Sequence, residues 1–194
     1  MCSCHDRPLR SAPSLARASG FTLTESLTVL AVSGVLAGFA LPSMNGMLQR
    51  QRAASLTTIF IGSLNLARSE AIKRGARAVL CKSSTGTACT SVGGWDQGWI
   101  VFHDTNNNAS FDAGELLVRQ QQGVAGAARL SGNLPVANYV SYSASGTAKL
   151  ISGAFQAGTF TLCPPPGNPA EVRKIVLSPT GRARTYSGTA HDCG

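Results

Sequence analysis

The sequence is poor in the residues that carry enzyme chemistry. Its 194 residues include three histidines, and 13% of its residues are charged. It has no glycine-rich phosphate loop and no serine in a nucleophile elbow. His103 and His191 are far apart in the chain, and His191-Asp192-Cys193 would form a triad only with a free thiol, which the even cysteine count argues against. The sequence therefore predicts neither enzyme activity nor a cofactor.

A long apolar stretch with a single charge lies near the N-terminus. The segment 21–41 carries only the charge of Glu25 and ends before Pro42. A helix of this length is sufficient to span the hydrocarbon core of a bilayer, which is about 30 Å thick. A carboxylate inside such a helix costs at least about 2.5 kcal/mol, so Glu25 requires a specific role. We expect 21–41 to form a transmembrane helix.

The segment 1–20 before this stretch is basic and contains no apolar run. A secretory signal peptide has its apolar core before the cleavage site, whereas a cut after Gly20 would keep the helix in the mature protein. The motif Gly20-Phe-Thr-Leu-Thr-Glu25 resembles the type III signal of type IV pilins and of the pseudopilins of type II secretion. An ordinary uncleaved signal anchor is the alternative.

This resemblance implies how the N-terminus is processed and used. In that family a membrane peptidase, the prepilin peptidase, cleaves after the glycine and methylates the new N-terminus. Here the cut would fall between Gly20 and Phe21, and Phe21 would be methylated. Glu25 would then be the fifth mature residue and would meet the amine of Phe21 from a neighbouring pilin, because each charge is costly alone in an apolar setting. Snorkelling of Glu25 to the membrane interface is the other interpretation.

The charge of the leader predicts the topology. A basic leader stays cytoplasmic, so residues 43–194 should lie outside the bacterial inner membrane, in the periplasm or on a pilus at the cell surface. Disulfides form there, and the four cysteines beyond the leader allow three connectivities. We favour Cys81–Cys89, which closes a loop rich in Gly, Ser and Thr, and Cys163–Cys193, which fastens the C-terminal tail.

The pattern beyond the apolar stretch predicts an α+β fold. Apolar residues from Met44 to Ile72 recur at helical spacing, and Gly75 is a natural stop. We therefore expect 42–75 to continue the N-terminal helix and to pack on an antiparallel β-sheet head, 76–194. The predicted strands, separated by Gly, Ser, Asn and Pro clusters, are 76–82, 99–102, 116–118, 139–143, 159–162 and 174–177.

One motif at the end of the predicted helix and two in the predicted head point to a more specific group within the pilins and pseudopilins. They are Arg68-Ser69-Glu70-Ala71, Trp95-x-x-Gly98-Trp99-Ile100-Val101-Phe102-x-Asp104 and Asp112-x-Gly114-Glu115-x-Leu117. This set resembles the FimT/GspH group of minor type IV pilins and pseudopilins. The resemblance implies a pilin-like fold and assembly with other pilins in a filament.

The loop that follows the second predicted strand has the oxygen spacing of a calcium-binding EF-hand. The candidate ligands are Asp104, Asn106, Asn108, Asp112 and Glu115. However, Ala109 stands where an EF-hand has its turn glycine, and the flanking segments are predicted strands. An Asx-rich hairpin turn is the competing interpretation.

A basic motif near the C-terminus is the most informative for function. Arg182 and Arg184 follow a Ser-Pro-Thr-Gly turn and, at i and i+2 on an extended chain, share one face. Two guanidinium groups there can clamp phosphate oxygens, and Arg173 and Lys174 could enlarge the patch. Gly181-Arg-x-Arg resembles the C-terminal motif of FimT-type pilins that bind DNA during natural transformation. A solvated basic turn and an inter-subunit salt bridge are the alternatives.

These observations leave three functions open. The first is a minor type IV pilin that binds the DNA backbone, without sequence preference, for uptake. The second is a purely structural minor pilin that primes pilus assembly. The third is a pseudopilin of a type II secretion machine. A mature net charge of +6, from 14 Lys and Arg against eight Asp and Glu, suits an anionic partner but does not identify one.

Overall fold

The computed structural model describes residues 20–123, 128–165 and 171–193, without the side chains of 37–45. By internal contacts the chain divides into two compact units, 1–41 and 42–194. Within the described residues, no helix is long and apolar enough to cross a membrane. The last five residues of the predicted span 21–41 are described without their side chains. Residues 1–19 of the predicted leader lie outside the described residues.

One helix, α1, runs from Leu23 to Arg74. At its start the Thr22 hydroxyl accepts a hydrogen bond from the amide of Glu25 at 3.3 Å, so Thr22 acts as the N-cap. At its end Gly75 has φ +61°, and the amide of Ala76 donates to the carbonyl of Ala71 at 3.2 Å. This is the Schellman arrangement that a glycine permits, and it ends the helix at the predicted position.

The C-terminal part of α1 buries a stripe of apolar side chains. Its members, at spacings of three and four residues, are Ala53, Leu56, Phe60, Leu64, Ala67 and Ala71. Phe60 lies at the centre, because its ring contacts the edges or faces of Trp95, Trp99 and Phe160 at centroid distances of 4.8–5.3 Å. The predicted stripe was too long: Met47, Leu48 and Ile72 are at least half exposed.

Within the described residues, eight strands form two four-stranded antiparallel sheets. The strands are β1 Ala78–Lys82, β2 Gly98–His103, β3 Leu117–Gln122, β4 Arg129–Gly132, β5 Tyr139–Tyr142, β6 Gly158–Cys163, β7 Arg173–Leu177 and β8 Ala183–Ser187. The first sheet has the order β3-β2-β1-β5 and the second β4-β6-β7-β8. The α+β prediction is confirmed, whereas β4 and most of β8 were not predicted as strands.

The main core lies between α1 and one face of each sheet. Leu80 and Val101 of the first sheet join Phe160 and Ile175 of the second in one buried cluster with the α1 stripe. Burying such side chains stabilises the fold by about 1.5–3 kcal/mol each. The opposite face of the first sheet carries a smaller buried cluster, Val79, Cys81, Ile100 and Phe102, with Phe111 packed against it.

The described part of the chain has two disulfides, and each ties a loop or the C-terminal tail to the sheet face turned away from α1. Of the three connectivities open to the four cysteines, the structure has Cys81–Cys89 and Cys163–Cys193. Cys81 belongs to the small cluster of the first sheet. Cys163 alternates with Leu162, which faces the main core, so its side chain lies on the opposite face of the second sheet.

Candidate nucleic-acid interface

The turn between β7 and β8 has a tightly closed backbone. The amide of Ser178 donates to the carbonyl of Arg182 at 2.9 Å, and the amide of Gly181 donates to the carbonyl of Ser178 at 2.9 Å. Gly181 is buried with φ +80°, a conformation that other residues rarely adopt. A β-carbon at Gly181 would also overlap the carbonyl oxygen of Gly146. The residue before Arg182 therefore has to be glycine.

A second loop, 143–148, packs against this turn. The Nε of Arg68, near the end of α1, donates to the carbonyl of Gly146 at 2.9 Å. The amide of Ala148 donates to the carbonyl of Pro179 at 3.2 Å. The loop 143–148 thus connects α1 to the turn, through the side chain of Arg68 on one side and the backbone bond from Ala148 on the other. These contacts fix the position at which β8 begins.

Arg182 and Arg184 are exposed on one face of the second sheet. Ala183 between them packs toward the core, so the two arginines point away from it, as predicted for i and i+2 on an extended chain. β8 is an edge strand, and Arg184 lies opposite Val176 of β7. Among the described residues, neither guanidinium group forms a salt bridge. A shallow depression here is lined by Val176, Ser178, Thr180, Arg182, Arg184 and Tyr186.

Lys174 lies on the same face but has a partner. Its ammonium nitrogen is 2.5 Å from Oδ1 of Asp192 in the C-terminal tail. The hydrogen bond from Lys174, together with one from the backbone amide of Thr189, lowers the pKa of Asp192 to about 2. The positive charge of Lys174 is therefore largely neutralised within the protein.

Arg173, by alternation, belongs to the opposite face of β7 from Lys174. It lines a separate depression with Glu171, Thr185, Tyr186 and Ser187. The structure therefore brings together Arg182 and Arg184, places Lys174 beside them in an ion pair, and separates Arg173 from them.

Sequence reasoning missed two residues of this surface. Tyr186 is 51% exposed and continues the line of Arg182 and Arg184 at i+4. Extending the i, i+2 pattern by one more step would have found it. Arg129, exposed on β4, lies opposite Cys163 and so shares this face at the other edge of the sheet. Its short strand gave no sequence signal.

The loop proposed for calcium satisfies its own oxygen atoms. The carboxylate of Asp104 accepts from the amides of Asn108 and Ala109 at 3.1 and 2.9 Å, and that of Glu115 accepts from the amides of Thr105 and Asp112 at 2.8 and 3.1 Å. Oδ2 of Asp112 accepts from the side-chain amides of Asn106 and Asn108 at 2.8 and 2.7 Å. These two hydrogen bonds lower the pKa of Asp112.

This geometry is that of an Asx-rich turn. Within the part of the chain that the structure describes, no group of three or more His, Cys, Asp or Glu side chains is arranged to hold a metal ion.

A titratable pair joins α1 to β2. Nε2 of His103, which is almost fully buried, lies 3.2 Å from Oε2 of Glu70. The same oxygen accepts from Arg74 at 3.3 Å. The hydrogen bond from His103 is the largest cause of the lowered pKa of Glu70. Nζ of Lys73 lies 3.7 Å from Oε1 of Glu70, so the carboxylate has three partners, and its contact with His103 links the end of the helix to the sheet.

The residues predicted for processing and assembly lie in the N-terminal unit. Gly20, Phe21 and Glu25 are exposed, and the side chain of Phe21 is 84% accessible. The described part of α1 between them and residue 36 exposes its apolar side chains: Leu23, Leu27, Val29, Leu30, Val32, Val35 and Leu36.

Comparison with known proteins agrees with the fold and the motifs. The family described as "Type II transport protein GspH" matches residues 57–181. The pilin-like protein PilA1 of Thermus thermophilus is 34% identical over 176 residues, which cover 85% of this chain and 96% of that protein.

Solved structures with weaker similarity include a minor pilin and a minor pseudopilin. The type IV minor pilin FimU of Pseudomonas aeruginosa has 17% identity and a TM-score of 0.49 over 73% of this chain and 92% of its own. The minor pseudopilin EpsH from the Type 2 Secretion System of Vibrio cholerae has 16% identity and a TM-score of 0.48 over 70% and 97%.

The predicted resemblance is thus confirmed by the family match and by PilA1. The chain belongs to the GspH family of minor type IV pilins and pseudopilins, structural and non-enzymatic proteins that assemble with other pilins in a filament.

Proposed function

We propose that this chain is a minor type IV pilin that binds the DNA backbone through Arg182 and Arg184 and serves DNA uptake in natural transformation. The observation that carries the proposal is the exposed arginine pair, Arg184 on the edge strand β8 and Arg182 directly before it, without a salt-bridge partner among the described residues. In this proposal the prepilin peptidase cleaves after Gly20, 21–41 anchors the subunit in the inner membrane, and Glu25 meets the amine of a neighbouring Phe21.

The chemistry of the pair suits phosphate. A guanidinium group offers a planar fork of donors that can bind two oxygens of one phosphate. A strand rises about 3.3 Å per residue, so the arginines at i and i+2 stand roughly 7 Å apart and reach successive backbone positions. Contacts of this kind do not read base edges, so binding is independent of sequence and weakens steeply with salt.

A DNA-binding assay with the full chain in non-ionic detergent tests this function. We expect a labelled duplex of arbitrary sequence to bind at low salt. Arg182→Ala with Arg184→Ala should remove most binding and reduce the slope of log affinity against log salt by about 2, since each arginine that contacts a phosphate contributes about 1. The measurement is fluorescence anisotropy at several salt concentrations.

The chain offers a matched control for charge. Arg50 and Arg52 on α1 are also exposed and also two residues apart, so Arg50→Ala with Arg52→Ala removes the same net charge elsewhere. This variant should keep the affinity of the wild type. Equal losses in both double variants, or no binding by the wild type, would refute a DNA site at β8.

The description of the family favours a second function. Its name refers to type II transport, and a pseudopilin of a secretion machine would use the same N-terminal unit without needing DNA. A purely structural minor pilin that primes pilus assembly is the third possibility. Deletion of the gene separates the three: loss of transformation with pili retained supports DNA uptake, loss of pili supports assembly, and loss of protein secretion supports the pseudopilin.

A further inference from the structure

An exposed aromatic ring continues the line of the two arginines. Tyr186 follows Arg184 by two residues on β8 and is 51% exposed. Its cross-strand neighbour is Lys174, whose ammonium group is bound to Asp192 in the C-terminal tail. The side chain opposite the ring is therefore held by another partner, and half of the tyrosine remains open to solvent.

Tyr186 stands between two depressions that both contain arginine. Arg182 and Arg184 line the first, whereas Arg173, on the opposite face of β7, lines the second and is separate from the pair. Glu171 is the carboxylate among the residues that line the second depression. A ring that lines one depression with two guanidinium groups fits a ligand that combines anionic groups with flat apolar surfaces.

A single strand of nucleic acid has this combination. Its phosphates can contact the arginines while an unpaired base stacks on an aromatic side chain, an interaction that tolerates any base sequence. In a duplex the bases are paired and stacked on each other, so a ring on an open sheet face can reach only the backbone. The stacking surface distinguishes the two forms of DNA.

We propose that Tyr186 stacks an unpaired base and that this surface accordingly prefers single-stranded over double-stranded DNA. The inference rests on the proposed DNA-binding function and specifies the form of the ligand. Arg182 and Arg184 supply the electrostatic attraction, and Tyr186 supplies the preference for an unpaired strand.

The test compares three oligonucleotides with the full chain in non-ionic detergent. They are a labelled oligo-dT, an abasic oligonucleotide of the same length, and a duplex of the same length. The abasic strand keeps the phosphates and lacks the bases. We expect oligo-dT to bind most tightly, Tyr186→Leu to weaken its binding roughly 5- to 150-fold, and Tyr186→Phe to keep it. In Tyr186→Leu, oligo-dT and the abasic strand should bind alike.

Each other outcome has a defined meaning. Unchanged oligo-dT binding by Tyr186→Leu, with loss of binding by the arginine double variant, would overturn stacking but leave DNA binding intact. Equal weakening by Tyr186→Phe and Tyr186→Leu would assign the effect to the hydroxyl group and also overturn stacking. No binding of any oligonucleotide by the wild type would remove the proposed function itself.

Discussion

Gly181 is the residue on which the placement of the arginine pair depends. Its φ of +80° and its contact with the carbonyl of Gly146 are both incompatible with a side chain. The glycine before Arg182 is thus a requirement of the turn, whatever the arginines bind. The residues of the motif therefore have different roles. Gly181 allows the turn that leads into β8, and Arg182 and Arg184 supply the positive charge.

Two glycine substitutions should change stability in opposite directions. Gly181→Ala should destabilise the fold by about 1–3 kcal/mol, because it forces alanine into a left-handed conformation against a backbone oxygen. Gly62→Ala should stabilise it by roughly 0.5–1 kcal/mol, because Gly62 lies within α1, is exposed and has open space for a β-carbon. Urea unfolding followed by circular dichroism measures both. Equal stability of Gly181→Ala and the wild type would show that the turn relaxes.

The loop 104–115 shows that the spacing of oxygen-bearing residues in the sequence does not determine what those oxygens bind. Oxygen-bearing residues at EF-hand positions were present in the sequence, yet Asp104 and Glu115 bind the amides of their own loop. The spacing in the sequence gives the number of candidate oxygen ligands, but it does not show whether the side chains point toward a shared metal site. Asn107 and Ala109 have positive φ, and this path of the backbone turns the amides toward the carboxylates.

The C-terminal tail is the element that limits the basic surface. The disulfide Cys163–Cys193 ties it to the outer face of β6, and Asp192 then reaches Lys174 on β7. A closed loop of this length stabilises a fold by about 3–4 kcal/mol in the chain-entropy model. The tail thus removes one positive charge from the surface and leaves Arg182 and Arg184 uncovered.

The ion pair predicts a specific response to acid. Because the folded pKa of Asp192 is about 2, below its ordinary value of 3.8, the contribution of this group to stability is present above pH 3.8 and is lost as pH falls toward 2. Asp192→Asn should therefore be less stable than the wild type near pH 6, and the difference should shrink between about pH 4 and 2. Thermal unfolding at a series of pH values measures it.

A control tests whether the effect belongs to the tail. Lys174→Met removes the main cause of the lowered pKa and should flatten the same part of the pH profile. A difference between wild type and Asp192→Asn that stays constant from pH 6 to 2 would contradict the assignment.

At the scale of the whole molecule, the residues proposed for assembly and those proposed for DNA binding lie in different units of the chain. The N-terminal unit exposes Gly20, Phe21, Glu25 and an apolar helix surface, while the unit 42–194 carries the arginine pair. Variants at Arg182 and Arg184 should therefore leave filament assembly intact. Variants at Phe21 and Glu25 should prevent assembly and leave the proposed DNA-binding surface unchanged.

Processing at Gly20 can be tested independently of DNA. Gly20→Ser should block cleavage in cells, because the type III signal that the sequence resembles is cut after its glycine. Gly34→Ser, a change of the same kind at an exposed position within α1, should be processed normally. Intact-mass spectrometry of the membrane fraction distinguishes mature from uncut chain. Normal mature protein from Gly20→Ser would contradict the assignment of the leader.

The sequence by itself determined the elements whose signal is local. Six strands, the helix stop at Gly75 and the α+β class followed from periodicity, glycine chemistry and apolar runs. The family followed from short sequence motifs, which lie within the segment 57–181 that matches the family. Each of these patterns is contained in one short segment, so no knowledge of distant contacts was needed.

Only the tertiary structure decided which charges of the C-terminal region are available. Arg173 and Lys174 are neighbours in sequence, yet strand alternation separates them and Asp192, eighteen residues after Lys174, neutralises the second. β8 became a strand because β7 supplied its hydrogen-bonding partner, despite its polar composition. The distant contact of Lys174 with Asp192 and the alternation along β7 together reduced the predicted basic patch to Arg182 and Arg184, with Tyr186 beside them.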